Sequence, residues 1–189
     1  MAVVVLAAAT SLALAQTATV SVTHSHPTGL AQPGELVQLS VEITWASALQ
    51  LGAVAGDALA IPDVGAATNV GPGSVSSGPL VTLGSPVAGS VRGVDLFANL
   101  LFQVTPWAAS PFTVLRYDWI APSTLGFVEF NWVPRPDLPN VMVYQSVSSG
   151  LVPATTTYLG TSITVIPAPP AAGVLAAAGV LACRRRRPG

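Results

Sequence analysis

Residues 36–45 read LVQLSVEITW, and this stretch decides the fold class of the chain. Apolar and polar residues alternate along it, which is typical of a strand with one face in a hydrophobic core. We therefore expect a half-buried strand with Gln38 and Glu42 exposed. Its expected buried residues are Val37, Leu39, Val41, Ile43 and Trp45.

Six further segments are also rich in β-branched and aromatic residues, and clusters of Gly, Pro, Ser and Asn separate them. These predicted strands span residues 17–23, 94–105, 112–120, 126–133, 141–146 and 160–166. No capped amphipathic helical pattern occurs between Gln16 and Ile166. Many strands without helices indicate an all-β fold, a single β-sandwich over residues 16–165.

The start of this region has a characteristic order of elements. One strand, a turn at Pro33, Gly34 and Glu35, and the long alternating strand follow each other. This order resembles cohesin-like and related adhesive modules of surface proteins, which implies an immunoglobulin-like or cohesin-like sandwich. Residues 52–90 are rich in Gly, Ala, Ser and Pro. They fit either short irregular strands or a long excursion over the sheet.

The charge balance excludes one class of partner. Only 8% of the residues are charged and there is no lysine, while 51% are apolar, which is enough to form a core. Outside one arginine run, three arginines stand against eight acids, a net charge of 3 − 8 = −5. A body of this charge has no basic face for a phosphate backbone, so we expect no nucleic-acid partner.

The N-terminal residues have the pattern of a secretion signal. Residues 2–15 are apolar apart from Thr10 and Ser11, and small residues at Ala13 and Ala15 precede Gln16. This pattern predicts a signal peptide over residues 1–15 with cleavage after Ala15. The alternative is a buried N-terminal strand or helix. No basic residue precedes the apolar run, so we expect the natural start to lie upstream of Met1.

The C-terminal residues, 166–189, form a separate segment. Three prolines between residues 167 and 170 end any preceding strand, because proline cannot donate to a strand ladder. Residues 171–183 are then uninterruptedly apolar, and Arg184, Arg185, Arg186 and Arg187 follow. A helix of this length spans only about 20 Å of the ~30 Å hydrocarbon core. The arginines favour a short membrane helix with its charged end in the cytoplasm.

A short proline motif, an apolar helix and a terminal arginine cluster together resemble the PEP-CTERM sorting signal. Pro167 and Pro169 match the two prolines of that motif, and Ala168 stands where the family usually has glutamate. The resemblance implies sorting by an exosortase-like protease or transpeptidase and at least transient membrane anchoring. The alternative is a simple membrane anchor that no enzyme processes.

We found no pattern of residues that indicates catalysis, a cofactor or a metal. His24 and His26 could begin a metal site, but solvated loop histidines are the simpler interpretation. No serine or cysteine nucleophile is paired with a histidine in a known motif. Three acids that could act as a catalytic pair stand on predicted strands: Glu42, Asp118 and Glu129. Asp57 and Asp63 lack the spaced acidic loop of a calcium site.

The sequence therefore favours an exported envelope or extracellular-matrix protein of structural or adhesive type, and not an enzyme. The runner-up is a carbohydrate-binding module with an extracellular polysaccharide as its partner, and a glycoside-active enzyme is third. Sugar binding requires exposed aromatic rings, whereas their strand spacing favours the core. The rings concerned are Trp107, Tyr117, Trp119, Phe130 and Trp132.

Overall fold

A computed structural model describes residues 16–46, 48–74, 80–98, 106–144 and 150–168. These residues form thirteen strands and no helix. The strands are β1 (Thr17–His24), β2 (Leu30–Ala31), β3 (Leu36–Trp45), β4 (Gln50–Ile61), β5 (Ala66–Pro72), β6 (Val81–Val87), β7 (Ser90–Phe97), β8 (Phe112–Ile120), β9 (Gly126–Pro134), β10 (Met142–Tyr144), β11 (Leu151–Pro153), β12 (Thr155–Leu159) and β13 (Thr161–Val165). The predicted signal peptide and residues 169–189 lie outside the described residues.

The strands form two sheets. The smaller sheet has the order β12-β1-β3-β8-β5, and the larger sheet contains eight strands with β11-β10-β4-β9-β13-β2 as its main path. Strand β7 pairs with the other edge of β4, and β6 pairs with β7. Buried residues from both sheets form one hydrophobic cluster between them. The predicted all-β sandwich is therefore confirmed.

Strand β3 has the predicted bounds and lies between β1 and β8. All five residues predicted to be buried are at most 7% exposed, and Gln38 is exposed as predicted. Glu42 differs from the prediction because it is half-buried. It lies in the middle of the sheet, between Ser21 of β1 and Thr113 of β8, and these neighbours cover part of its side chain.

Most of the other predicted strands agree with the structure, with shifts at their ends. Strands β1, β8 and β9 match their predicted bounds within one residue, and β13 lies inside residues 160–166. The strand predicted over 94–105 is β7, which begins and ends earlier, and residues 99–105 lie outside the described residues. Of the segment predicted over 141–146, residues 142–144 form β10 and residues 145–146 are not described.

Residues 52–90, for which the sequence left short strands or an excursion over the sheet as alternatives, contain three strands, β4, β5 and β6, and the start of β7. Strand β4 pairs with β7 on one edge and with β10 and β9 on the other. Strand β5 is an edge of the smaller sheet, and β6 extends the larger sheet. The described part of this stretch is thus integrated into both sheets and is not an excursion over their surface.

Trp119 is the central contact between the two sheets. Its side chain is fully buried, and its ring meets Phe130 of the larger sheet edge-on, with centroids 5.1 Å apart and planes at 82°. Its indole Nε1 donates a hydrogen bond to the Val64 carbonyl at 2.9 Å. Gly65 has a φ of +83°, and a Cβ there would lie against the indole, so this close approach requires glycine.

The last described strands carry the chain from one sheet to the other. Strand β12 runs parallel to β1 in the smaller sheet, and after Gly160 alone β13 pairs with β9 in the larger sheet. A Cβ on Gly160 would overlap the side-chain amide oxygen of Asn131, so the crossing leaves no space for a side chain. The described part of the chain contains no helix long and apolar enough to cross a bilayer.

Candidate functional site

The outer face of the larger sheet carries the exposed apolar and charged side chains that form the candidate site. Strand β9 shows how they arise, because its residues alternate between the two faces of the sheet. Phe130 and Trp132 point into the core and are buried, whereas Phe127 and Val133 are 53% and 41% exposed. Exposed Glu129 lies on the same outer face. This face therefore offers both apolar and charged contacts.

A cleft lies on the outer face between the connection after β9 and strands β6 and β7. The Arg135 amide donates to the Ala55 carbonyl at 3.1 Å, which extends the β9–β4 ladder one residue beyond the Pro134–Gly56 pair. Residues 52–56 of β4 read GAVAG and leave little side chain in the way between the two walls. The cleft has a volume of about 430 Å³. Its lining residues are Leu80, Thr82, Asp95, Phe97, Arg135, Asp137 and Leu138.

Arg135 links the two acids of the cleft. Its Nε donates to Asp137 at 2.6 Å, and its Nη1 donates to Asp95 at 3.0 Å. The hydrogen bond from Arg135 lowers the pKa of the Asp137 carboxyl, and the bonds to Asp137 and Asp95 raise the pKa of Arg135. One positive group against two carboxylates leaves the cleft with one net negative charge. Apolar walls and this charge suit a long side chain with a cationic head.

A shallower groove lies farther along the same face. It has a volume of about 290 Å³. Its lining comprises Phe127, Glu129, Asn131, Gly160, Thr161 and Ser162. The groove and the cleft both lie on the outer face of the larger sheet. The outward positions of the smaller sheet carry different side chains. There the strands present mostly small hydroxyl side chains, such as Thr17, Thr19, Thr44 and Thr157.

The two acids considered for calcium are engaged within the protein. Asp57 Oδ1 accepts a hydrogen bond from the Gly93 amide at 2.8 Å. Asp63 accepts from Ser90 Oγ at 2.6 Å and from Arg92 at 3.1 Å. Both acids therefore stabilise the β6–β7 hairpin against β4 and the residues that follow it. Within the described ranges, no group of three or more His, Cys, Asp or Glu side chains converges on a possible metal position.

The two histidines are less solvated than the sequence suggested, so the interpretation as free loop residues is wrong. Both are half-buried. The Nε2 atom of His26 lies 3.1 Å from Glu35 Oε1, and the other carboxylate oxygen of Glu35 accepts from the Gln32 amide at 2.8 Å. The Gln32 bond is the largest cause of the lowered pKa of Glu35. His26 and Glu35 thus hold together the loops before and after β2.

The three acids considered as catalytic pairs do not come together. Glu42 of β3 and Asp118 of β8 lie on the smaller sheet, and Glu129 lies on the larger sheet. Even on the smaller sheet, Glu42 pairs with Thr113 while Asp118 pairs with Gln38, four residues away along β3. Asp118 also accepts a hydrogen bond from Asn69 at 2.8 Å. This arrangement gives these acids no shared catalytic position.

The aromatic residues considered for sugar stacking belong to the core, which overturns the proposed stacking surface. Tyr117, Trp119, Phe130 and Trp132 are at most 3% exposed. Trp107 is half-buried with its ring 5.5 Å from that of Phe112. These rings therefore form no exposed platform. The core placement that their strand spacing favoured is confirmed for the four buried residues.

The predicted targeting residues lie at the ends of the chain. Pro167 and Ala168 are exposed and follow β13 without regular structure. The other predicted residues, Ala13, Ala15, Pro169 and Arg184, Arg185, Arg186 and Arg187, lie outside the described residues. The cleft residues, in contrast, were missed. The only local signal is the sequence Pro134-Arg135-Pro136, which is typical of a turn. Asp95 stands 40 residues away from Arg135, and no local pattern links the two.

Comparison with solved structures relates this fold to cohesin modules. The seventh ScaB type I cohesin from Pseudobacteroides cellulosolvens matches with a TM-score of 0.57 and 14% identity, over 82% of this chain and 95% of that one. A type II cohesin domain of Acetivibrio cellulolyticus matches with a TM-score of 0.52 and 12% identity, over 79% and 95%. At these identities the likeness is one of fold.

A third similar structure is itself a complex. The third cohesin ScaC of Acetivibrio cellulolyticus, solved with the ScaB dockerin, has a TM-score of 0.51 and 12% identity, over 80% of this chain and 99% of that one. No protein-family model matches the sequence, and no curated protein matches it significantly. The cohesin-like form of the sandwich is therefore supported by structure and not by sequence.

Proposed function

We propose that the chain is an exported, non-catalytic binding module of the cell envelope or extracellular matrix, with a structural or adhesive role. Its binding surface is the outer face of the larger sheet. The observation that carries this proposal is the charged cleft on that face, set in a sandwich of cohesin-like fold. A cohesin of this fold was solved bound to a dockerin, a partner protein. We therefore take a protein as the partner.

The chemistry of the cleft defines what the partner presents. Leu80, Phe97 and Leu138 offer apolar walls, and Asp95 and Asp137 outnumber the single positive charge of Arg135. The aliphatic stem of a lysine or arginine packs on such walls while its head approaches the carboxylates. The net charge of −5 on the body favours the same class of partner. We infer that a basic side chain of the partner enters the cleft.

Export and sorting complete the proposal. Residues 1–15 direct the chain out of the cytoplasm, and residues 166–189 act as a PEP-CTERM-like sorting signal. The apolar run and its four arginines anchor the protein in the membrane, at least until an exosortase-like enzyme acts on the tail. What supports this part is the order of proline motif, apolar run and arginine cluster in the sequence.

Site-specific photo-crosslinking in the native cells tests the binding surface. The photoreactive residue replaces Thr82 on the cleft wall or, as a matched control, Thr44, an exposed threonine on the smaller sheet. We expect a protein adduct from position 82 that Asp95→Lys abolishes, and none from position 44. Adducts of equal yield at both positions, or no protein adduct at position 82, would refute the proposed surface.

A further inference from the structure

Eight large apolar side chains of the described residues are exposed, and six of them lie towards one end of the sandwich. We call these six the apolar cap: Leu30, Leu36, Ile61, Val87, Leu125 and Phe127. Leu36, Leu125 and Phe127 are the most exposed, at 55%, 51% and 53%. Isolated exposed apolar residues are ordinary, but a concentration at one end marks an interaction surface.

Strand register places the cap residues at the same end. Leu36 pairs with Ile120 at the end of β8, and the turn that follows leads to Leu125. Gly126, between Leu125 and Phe127, pairs with Val165 at the end of β13. Leu30 pairs with Thr164 on the other edge of β13.

The other two cap residues approach this end from β4 and from the β6–β7 hairpin. Ile61 is the last residue of β4 and pairs with Glu129. Val87 precedes Ala88, whose carbonyl accepts a hydrogen bond from Ala67 of β5 at 2.6 Å. The ends of β4, β6, β8 and β13 and the starts of β3 and β9 thus lie at this end of the sandwich.

The chain leaves the sandwich at this same end. The Ile166 amide donates to the Ala31 carbonyl at 2.9 Å, and exposed Pro167 and Ala168 follow. Four residues, 167–170, lie between Ile166 and the start of the apolar run at Ala171. Fully extended, the five Cα–Cα steps from 166 to 171 reach about 17 Å at ~3.3 Å per step. If residues 171–183 enter a bilayer, Ile166 must lie within that distance of its surface, at the end of the sandwich that carries the cap.

The charges at this end fit an uncharged surface. Glu35 lies against His26 at 3.1 Å, and Asp63 against Arg92 at 3.1 Å, so both acids are paired. Glu129 pairs with Ile61 and faces outward from β9, so this one carboxylate stands at the edge of the cap. The cap therefore offers apolar contact without a cluster of basic residues that would require anionic lipids.

We propose that the apolar cap rests on the lipid surface of the membrane that the tail enters. This inference rests on the membrane anchoring included in the proposed function. It goes further, because anchoring alone leaves the orientation of the domain free. With the cap on the membrane, the long axis of the sandwich stands away from the bilayer, and the partner-binding cleft faces sideways, accessible to proteins.

Fluorescence quenching in phosphatidylcholine vesicles tests the orientation in the mature full chain. Cys183→Ala removes the native thiol, and a single labelled cysteine is then introduced by Thr124→Cys in the cap turn or by Ala108→Cys at the opposite end. Leu51, which bridges to Trp107, and Ile61 are ten residues apart on β4, so the two ends are separated by roughly 34 Å. Flotation of the chain with the vesicles reports anchoring separately.

With lipids carrying a quencher, the probe at position 124 should lose fluorescence while the probe at position 108 keeps it. Leu125→Ser with Phe127→Ser should restore fluorescence at position 124 without reducing flotation. Leu159→Ser, at an equally exposed leucine on the smaller sheet, should restore nothing. Equal quenching at both positions, or none in a chain that floats, would overturn the inference.

Two other outcomes would assign the cap or the tail differently. A dimer in detergent that the Leu125→Ser and Phe127→Ser substitutions dissociate would assign the cap to a second copy of the chain and overturn the inference. Failure of the full chain to float would refute the anchoring in the proposed function, and the orientation with it. The partner-binding cleft would remain unaffected by that result.

Discussion

Replacing Trp119 with phenylalanine should destabilise the sandwich more than its modest chemical change suggests. Trp119 joins the two sheets through its edge-on contact with Phe130, and its indole nitrogen donates to the Val64 carbonyl at 2.9 Å. Phenylalanine keeps an aromatic ring in the core but removes the donor. It also leaves empty the space that Gly65 and Gly89 provide around the indole.

Together, the two losses lower the free energy of unfolding by a measurable amount. Leaving the part-buried Val64 carbonyl without this donor costs about 1–3 kcal/mol. The smaller ring leaves a cavity of roughly 40 Å³, which adds about 1 kcal/mol. The expected sum of about 2–4 kcal/mol is a large part of a typical stability of about 5–15 kcal/mol. At about 2–4 °C per kcal/mol, the melting temperature should fall by roughly 4–16 °C.

Urea unfolding followed by far-ultraviolet circular dichroism measures this change without relying on tryptophan fluorescence. The urea concentration at the midpoint should fall. The slope of the unfolding free energy against urea concentration should stay constant, since the fold is unchanged. Trp107→Phe is the control, because Trp107 is half-buried at the periphery, and we expect a loss below about 1 kcal/mol there. A loss for Trp119→Phe no larger than that of the control would refute the central role of this residue.

Three further predictions concern the core, the strand crossing and the tail. Tyr117→Phe should raise stability by about 1 kcal/mol, because the buried hydroxyl has no hydrogen-bond partner. Burial raises the pKa of Tyr117, so above about pH 10 the tyrosine ionises more readily in the unfolded chain and stability falls as the pH rises. The phenylalanine variant should therefore resist alkaline unfolding better. Gly160→Ala should lower the free energy of unfolding by about 1–3 kcal/mol, because the added Cβ forces Asn131 aside. Gly71→Ala is the control in the same urea experiment and should cost less, because only a carbonyl lies within 4 Å of the added Cβ, at 3.8 Å. Neutralising Arg184–Arg187 should impair membrane retention in cell fractionation while leaving the circular dichroism spectrum unchanged; retention and processing like wild type would remove their role in sorting.

Alternation made part of the fold predictable from the sequence. In β3 the apolar and polar residues alternate strictly because one face is buried and the other is not, and the pattern determined both its bounds and its buried face. The same approach failed for strand β4. Residues 51–56 are buried on both faces, and its alanines and glycines have low strand propensity, so neither alternation nor composition revealed it.

The cleft could not be predicted because it depends on contacts between distant residues. Asp95 and Arg135 are separated by 40 residues and meet only because β4 pairs with both β7 and β9. Glu42 shows the same limit on a smaller scale, since its partial burial comes from two neighbouring strands. The targeting ends, in contrast, are predicted from local composition alone.

Labelling on intact native cells with a charged maleimide, which does not cross the cytoplasmic membrane, tests the central claim most directly. Single cysteines replace Thr82, Thr44 or Ala108 in a Cys183→Ala background. We predict that positions 44 and 108 react on cells, that position 82 is protected there, and that all three react in the purified protein. Absence of labelling at all three positions on cells would contradict export, and equally rapid labelling at positions 82 and 44 would contradict an occupied cleft.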